Sequence, residues 1–319
     1  MKIEGEKMVK TILGTGYATM DTLWSVKQLP KPDSFGHIES EELVPGGSCA
    51  NMLVAYANLG GNAKQIAKIG DDEYGVIFKQ TLEADGVDSS LLKIKKGGTT
   101  HHTYIVAAPN GEHCIFSNIG DCLLDLQPEE IPEDILDGVD IYYSDLAPCK
   151  ATIKMAKMAK AKGIPVIICL QCTASFMAEM GIEVADIKEA ISYADIFISG
   201  RDTYYEFTGI EDDYVKAVKA FYDEYKPSQG CICTAGSEGS VWVTDEETIV
   251  AKAYEVQAVD STGAGDAFLG ALIYSYFQLE ESRQEAINFA CAVGAIKCTL
   301  WGPRIKVKPE AVKSFMAKY

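Results

Sequence analysis

The stretch Val9 to Gly16 is mainly apolar and ends in Gly14-Thr15-Gly16, which predicts a first buried strand opening into a loop. After the turn Pro45-Gly46-Gly47, small and apolar residues from Ser48 to Leu59 predict a closely packed helix. Lys64 to Ile69 reads as a short strand. Glu73 to Glu83 has helical period, and Gly86 stops it. His102 to Ala107 and Glu112 to Ser117 are short β-rich runs, and Pro109-Asn110-Gly111 between them predicts a hairpin. Such a hairpin falls outside strand–helix alternation and predicts a small β structure projecting from the main body.

From about residue 138 the alternation becomes regular. Strands are predicted at Asp140 to Tyr143, Pro165 to Cys169, Asp195 to Ser199 and Gly230 to Thr234. Helices are predicted at Lys150 to Ala161, Ser175 to Ser192 and Tyr214 to Tyr225, and two more close the chain at Ala264 to Phe277 and Ser282 to Leu300. This pattern implies βαβ units and a mainly parallel sheet. No repeats or long linkers interrupt it. The expectation is one α/β domain over residues 1–319, with a small β lid from inserted segments at roughly 15–45 and 96–120.

Composition narrows the function classes. The chain has 319 residues, 47% of them hydrophobic, enough for one large core. Its formal net charge of -17 offers no basic footprint for nucleic acid and makes anionic membranes poor partners. The ten cysteines sit mostly in apolar runs, as buried thiols of a reducing compartment do. Cys169 and Cys172 have C-x-x-C spacing, but no second pair or nearby histidine makes a zinc site, so a core role is expected. The first ten residues lack the apolar region of a signal peptide, and no run reaches membrane-span length; a cytoplasmic location is expected.

The chemistry is concentrated in Asp260-Ser-Thr-Gly-Ala-Gly-Asp266, followed by an apolar helical run. Gly263, Ala264 and Gly265 let backbone N–H groups approach an anion, and a helix start adds free donors and a positive dipole end. Phosphoryl transfer needs such stabilisation where charge accumulates. Asp266, in the first helical turn, is placed to accept the proton of an attacking hydroxyl. A bare Gly-x-Gly-Asp would be no more than a helix start; the longer string says more.

That string resembles the C-terminal signature of the ribokinase-like (pfkB) carbohydrate kinases. Gly46-Gly47-Ser48-Cys49-Ala50-Asn51 resembles the family's N-terminal Gly-Gly segment, followed by Leu59-Gly60-Gly61 and by Gly70-Asp71-Asp72-Glu73-Tyr74-Gly75. Thr234-Ala235-Gly236-Ser237-Glu238-Gly239 is similar to the nucleotide-binding turn, and Gly14 to Asp21 to the first substrate loop. The resemblance implies a three-layer Rossmann-type sandwich with a small β-sheet lid. It implies an ATP- and Mg²⁺-dependent kinase acting on a hydroxyl of a sugar or sugar acid. Asp266 would be the base, and Gly263, Ala264 and Gly265 the anion hole. Asp21, Gly46, Gly47 and Asn51 would serve the substrate, with Gly46-Gly47 as a hinge. Thr234, Gly236 and Gly239 would line the nucleotide, with Cys291 and Gly302 bordering the adenine. Asp260 and Thr262 resemble positions that help bind a monovalent cation such as K⁺. Lids of this fold often pair, which implies a homodimer through the lid.

The sequence departs from the pattern in places. The family's Asn-x-x-Glu motif is replaced by Gly200-Arg201-Asp202-Thr203. Asp202 could reach magnesium through water, and Arg201 could face the phosphates. Cys169-Leu170-Gln171 stands where Asp-x-Asn is common. All four histidines, His37, His101, His102 and His113, fall in the expected lid, mostly as packing or surface residues. The lid is poor in arginine, which favours a substrate without a phosphate. A nucleoside kinase is the nearest alternative, with Tyr17, Trp24 and Phe35 available for stacking. A non-catalytic sugar- or nucleotide-binding sensor is the alternative of another class, and turnover lost in Asp266→Asn would discriminate against it.

Overall fold

The computed structural model describes residues 8–108 and 113–319. The N-terminal half contains β1 (Thr11–Thr15), β2 (Thr19–Val26), β3 (Ile38–Gly46), α1 (Ser48–Leu59), β4 (Asn62–Ile66), β5 (Lys68–Gly70), α2 (Glu73–Ala84), β6 (Val87–Asp88), β7 (Lys93–Lys95), β8 (His102–Ala107) and β9 (His113–Asn118). Alternation then follows through β10 (Ile141–Ser144), α3 (Cys149–Ala161), β11 (Val166–Leu170), α4 (Ala174–Glu179), α5 (Val184–Ser192), β12 (Ile196–Gly200), α6 (Arg201–Thr208), α7 (Tyr214–Tyr225) and β13 (Gly230–Thr234). The C-terminal part adds the hairpin β14 (Ser240–Val243) and β15 (Thr248–Ala251), then α8 (Ala264–Ile273), α9 (Arg283–Cys298) and α10 (Pro309–Met316).

The main sheet has the order β15-β14-β13-β12-β11-β10-β1-β4-β6. Neighbours from β13 to β6 pair in parallel, and the β14–β15 hairpin adds an antiparallel edge. Its strands are buried on both faces, which is why they read as near-continuous apolar runs. Alternate residues feed two cores. Ile12, Tyr143, Ile167, Ile198 and Ile232 pack with α1, α8 and α9. Leu13, Tyr142, Ile168, Phe197 and Cys231 pack with α3, α5 and α7 on the other side. The result is the expected three-layer arrangement.

Two details fix the site's scaffold. Gly270 of α8 lies against α1 so closely that a Cβ would sit 2.6 Å from Met52 O, so the two helices meet backbone to backbone. A separate four-stranded sheet, order β3-β2-β8-β9, pairs β2 with β3 and β8 with β9 antiparallel, and β2 with β8 in parallel. The turn expected at Pro109 to Gly111 lies outside the described residues.

Several boundaries differ from the sequence reading. The helical region from Ser175 to Ser192 is two helices, parted where Gly181 takes φ 93°. The stretch Lys64 to Ile69 falls on β4 and β5. The helix from Ala264 widens into a π turn over Tyr274–Leu279. α6, α10 and the β14–β15 hairpin were not expected. No helix among the described residues is long and apolar enough to cross a membrane.

Candidate active site

Asp266 is the third residue of α8. Gly263 caps the helix with φ 76°, and a Cβ there would lie 2.1 Å from Pro303 O, so only glycine fits the turn. The first intrahelical bond runs from Ala267 N to Gly263 O (2.9 Å), so the amides before it have no intrahelical partner. Ala264 N instead donates to Ser261 O (3.1 Å). In front of Gly265 there is open space: a Cβ added there meets nothing within 4 Å. The arrangement leaves donors, a dipole end and room at one point.

Asp266 is buried, and Asn51 Nδ2 donates to its Oδ2 at 2.9 Å. Burial pushes its carboxyl up to about 6; the Asn51 bond opposes that rise, and the nearby charge of Asp21 adds to it. A carboxylate tuned to this range can accept a proton near neutral pH and release it to water.

Asn51 sits in the first turn of α1 and bridges two groups. Its Oδ1 accepts from Arg304 Nε (3.4 Å), and Arg304 Nη1 donates to Asp85 Oδ2 (2.9 Å). Among the described residues, Arg304 Nη2 is buried without a hydrogen-bond partner. Asp21, in β2, accepts from Thr103 Oγ1 of β8 (2.6 Å). Burial raises the Asp21 carboxyl above the usual carboxylate range, against the Thr103 bond and the Arg304 charge. Gly46 lies so near that its Cβ would sit 1.9 Å from Asp21 Oδ2, and Gly47 holds φ 89°. Thus Asp21, Gly46, Gly47, Asn51 and Asp266 converge, from the small sheet and two helices. A cavity of about 360 Å³ adjoins them, lined by Val44, Pro45, Asp85, Trp301, Gly302 and Arg304 among others.

Three of the proposed nucleotide residues, Thr234, Gly236 and Gly239, lie at the carboxyl end of the parallel strand β13, the side on which α/β sheets bind ligands. Thr234 ends β13. Gly236 and Gly239 take φ 59° and 97° in the following turn, closed by Ala235 N to Gly239 O (2.8 Å). Arg201 pairs with Glu238 in that turn, so its charge is committed there. Asp202 is exposed in the first turn of α6. Cys291 is buried with its Sγ 3.2 Å from Ser240 Oγ, beneath the hairpin. Among the described residues no cluster of three His, Cys, Asp or Glu could cage a metal.

Asp260 ties the anion-hole loop to the segment after α9. Its Oδ1 accepts from Thr262 N (2.9 Å) and its Oδ2 from Gly302 N (3.0 Å). Behind it lies Lys297, a lysine with no exposed surface. Lys297 Nζ donates to Asp260 O (2.8 Å) and Leu300 O (3.2 Å), with Asp260 Oδ2 at 3.9 Å. Burial lowers the Lys297 ammonium's pKa from the ordinary lysine value, and Asp260 opposes that.

Sequence reading missed Arg304, Lys297, Thr103 and Asp145. Asp145 follows β10 fully buried, accepts from Tyr17 N (3.1 Å) and Cys49 N (3.0 Å), and is pushed up to about 8 by burial. The single readable signal was Arg304, one of three arginines in the chain. Of the aromatic candidates, Trp24 packs on Tyr104 (5.3 Å), Phe35 is fully exposed, and Tyr17 lies against His101. His101 is buried, bonded to Thr19 and Ser117, and lowered to about 4 by burial; His102 stacks on Tyr74. Both serve packing. All ten thiols are free, Cys169 and Cys172 included.

Comparison with known proteins gives the same family signature. The family model described as pfkB family carbohydrate kinase matches residues 10–310. The chain is 29% identical to an ATP-dependent ribose-1-phosphate kinase of Halopiger xanaduensis, over 96% of this chain and 98% of that one. It is 27% identical to a fructokinase of Solanum tuberosum, over 84% and 85%. Among solved structures, an Arabidopsis thaliana ribokinase complexed with ribose and ATP superposes with a TM-score of 0.83 at 21% identity, covering 97% of this chain and 99% of that one.

Proposed function

The chain belongs to the pfkB family of carbohydrate kinases, and we propose that it transfers the γ-phosphoryl group of ATP to a sugar hydroxyl with Asp266 as base. The observation that carries this reading is the buried Asp266 carboxylate, held by Asn51 at the open start of α8. Asp266 takes the hydroxyl proton as the sugar oxygen bonds to the γ-phosphorus. The bond from that phosphorus to the bridging oxygen breaks, and ADP leaves. The Gly265 amide and the helix dipole meet the charge that builds on the transferring oxygens. Asp21 and Asn51 orient the sugar. Magnesium suits the phosphate oxygens of the nucleotide, and the exposed Asp202 in the first turn of α6 would hold it through water. The small sheet acts as a lid over the sugar, hinged at Gly46-Gly47.

A second substrate reading rests on Arg304. Its buried, unpartnered Nη2 beside Asn51 suits a sugar that already carries a phosphate. The lid segments were read as poor in arginine; Arg304 enters instead from the C-terminal segment.

The test is an ATP-consumption screen over sugars, sugar acids, sugar phosphates and nucleosides with Mg²⁺. Asp266→Asn should keep its fold and substrate binding and lose roughly 10²- to 10⁴-fold in turnover. Turnover untouched by that substitution would overturn the assignment of the base. Binding without turnover across the whole panel would favour a sensor.

A further inference from the structure

Lys297 is the one fully buried lysine among the described residues, and the phosphoryl-transfer chemistry does not use it. An ammonium group removed from water is expensive unless oxygens replace its hydration shell. Here they do: two backbone carbonyls, Asp260 O and Leu300 O, accept from it, and the Asp260 carboxylate faces it. These oxygens belong to two loops. One leads from Asp260 through Thr262 to the Gly263 cap; the other leads from Leu300 to Gly302. Val259 N and Asp260 N also dock on Cys298 O (2.7 and 3.1 Å), at the carboxyl end of the helix that carries Lys297.

A carboxylate and converging carbonyls, gathered under an anion-binding loop, make the ligand set a monovalent cation would take. The expectation of such a cation at Asp260 and Thr262 meets an obstacle in this chain. The Asp260 carbonyl and carboxylate already face the Lys297 ammonium, and its carboxylate oxygens accept from Thr262 and Gly302, so the positive charge a K⁺ ion would supply is in place.

We infer that the Lys297 ammonium is a built-in replacement for the activating cation, holding the Asp260 to Gly265 loop in register and freeing the enzyme from K⁺. Lys297 is a positioning residue. It touches no reacting atom and acts through Asp260 and the Gly263 cap on the amides at the start of α8. The tether is covalent, so its occupancy is independent of the salt around the protein.

The inference rests on the kinase reading, so the first readout needs no sugar. Melting temperatures of the wild type and of Lys297→Met are measured in choline, sodium, potassium and ammonium chlorides at equal ionic strength. The wild type should melt alike in all four. Lys297→Met, with the cavity open to a free cation, should melt lower in choline and recover saturably in potassium or ammonium chloride. With the sugar found by the screen, the variant should lose roughly 10- to 100-fold in kcat in choline, the effect of one or two hydrogen bonds from a charged donor. Potassium should restore most of that loss. Lys297→Gln serves if the methionine variant does not fold, and the wild-type titration decides in any case. Specific stabilisation or activation of the wild type by potassium would overturn the inference. A folded variant that no cation rescues would also overturn it, leaving Lys297 as ordinary packing. Failure of the screen alone, with the melting pattern as expected, would reject the kinase reading and leave the cation replacement standing.

Discussion

Asp266 and Asp21 titrate as neighbours. Burial raises both carboxyls, and the charge of Asp21 raises Asp266 further, to about 6. A base must be deprotonated to act. Activity should therefore be low at acid pH, rise through about 6 and level off above it. Removing the like charge should make Asp266 easier to ionise. In Asp21→Asn the acid limb of the kcat profile, measured at saturating sugar, should move to lower pH. A limb that stays in place would show that burial alone sets the pKa. The residues proposed for these roles stood out in the sequence because short motifs carry them, with glycines and carboxylates at fixed offsets inside each motif. Lys297, Arg304 and Asp145 were not legible. Nothing local marks them, and their partners come from loops and helices brought together by the fold.

At the scale of elements, α1 (Ser48–Leu59) and β13 (Gly230–Thr234) match their sequence reading residue for residue, since both are buried runs between glycines. β3 (Ile38–Gly46) had no such signature: six of its nine positions are exposed, and pairing with β2 alone defines it. β15 turns only alternate residues inward, and α10 anchors itself through the buried Val312, so each was too short for periodicity to reveal. The junction of β3 with α1 yields a contrast between adjacent glycines. Gly47→Ala places a Cβ 2.5 Å from Tyr17 O at φ 89°, and should cost about 1–3 kcal/mol in chemical denaturation. Gly46→Ala meets the carboxylate of Asp21 instead. It should leave the melting temperature nearly unchanged and weaken kcat/KM for the sugar by up to roughly 100-fold. Equal effects of the two on stability would show that the Asp21 carboxylate cannot yield.

At the scale of the whole molecule, the small sheet ends in two exposed edges. Ile38 and Leu43 on β3, and Ile115 and Phe116 on β9, are uncovered large apolar residues on these edges. Unpaired edges of this kind need cover, and the homodimer expected from the sequence would supply it with a second copy. Sedimentation velocity at micromolar concentration should show a dimer, and Phe116→Asp should shift it towards monomer. A monomeric wild type would refute the pairing. The Asn51–Asp266 contact has a different reach: it joins positions separated by 215 residues along the chain. On the ribosome, Asp21 and Asn51 emerge long before Asp266 has been made. In the proposed mechanism, a chain in which α8 has not docked on α1 has neither the base nor the phosphate loop. A nascent or prematurely ended chain should therefore be chemically silent towards ATP.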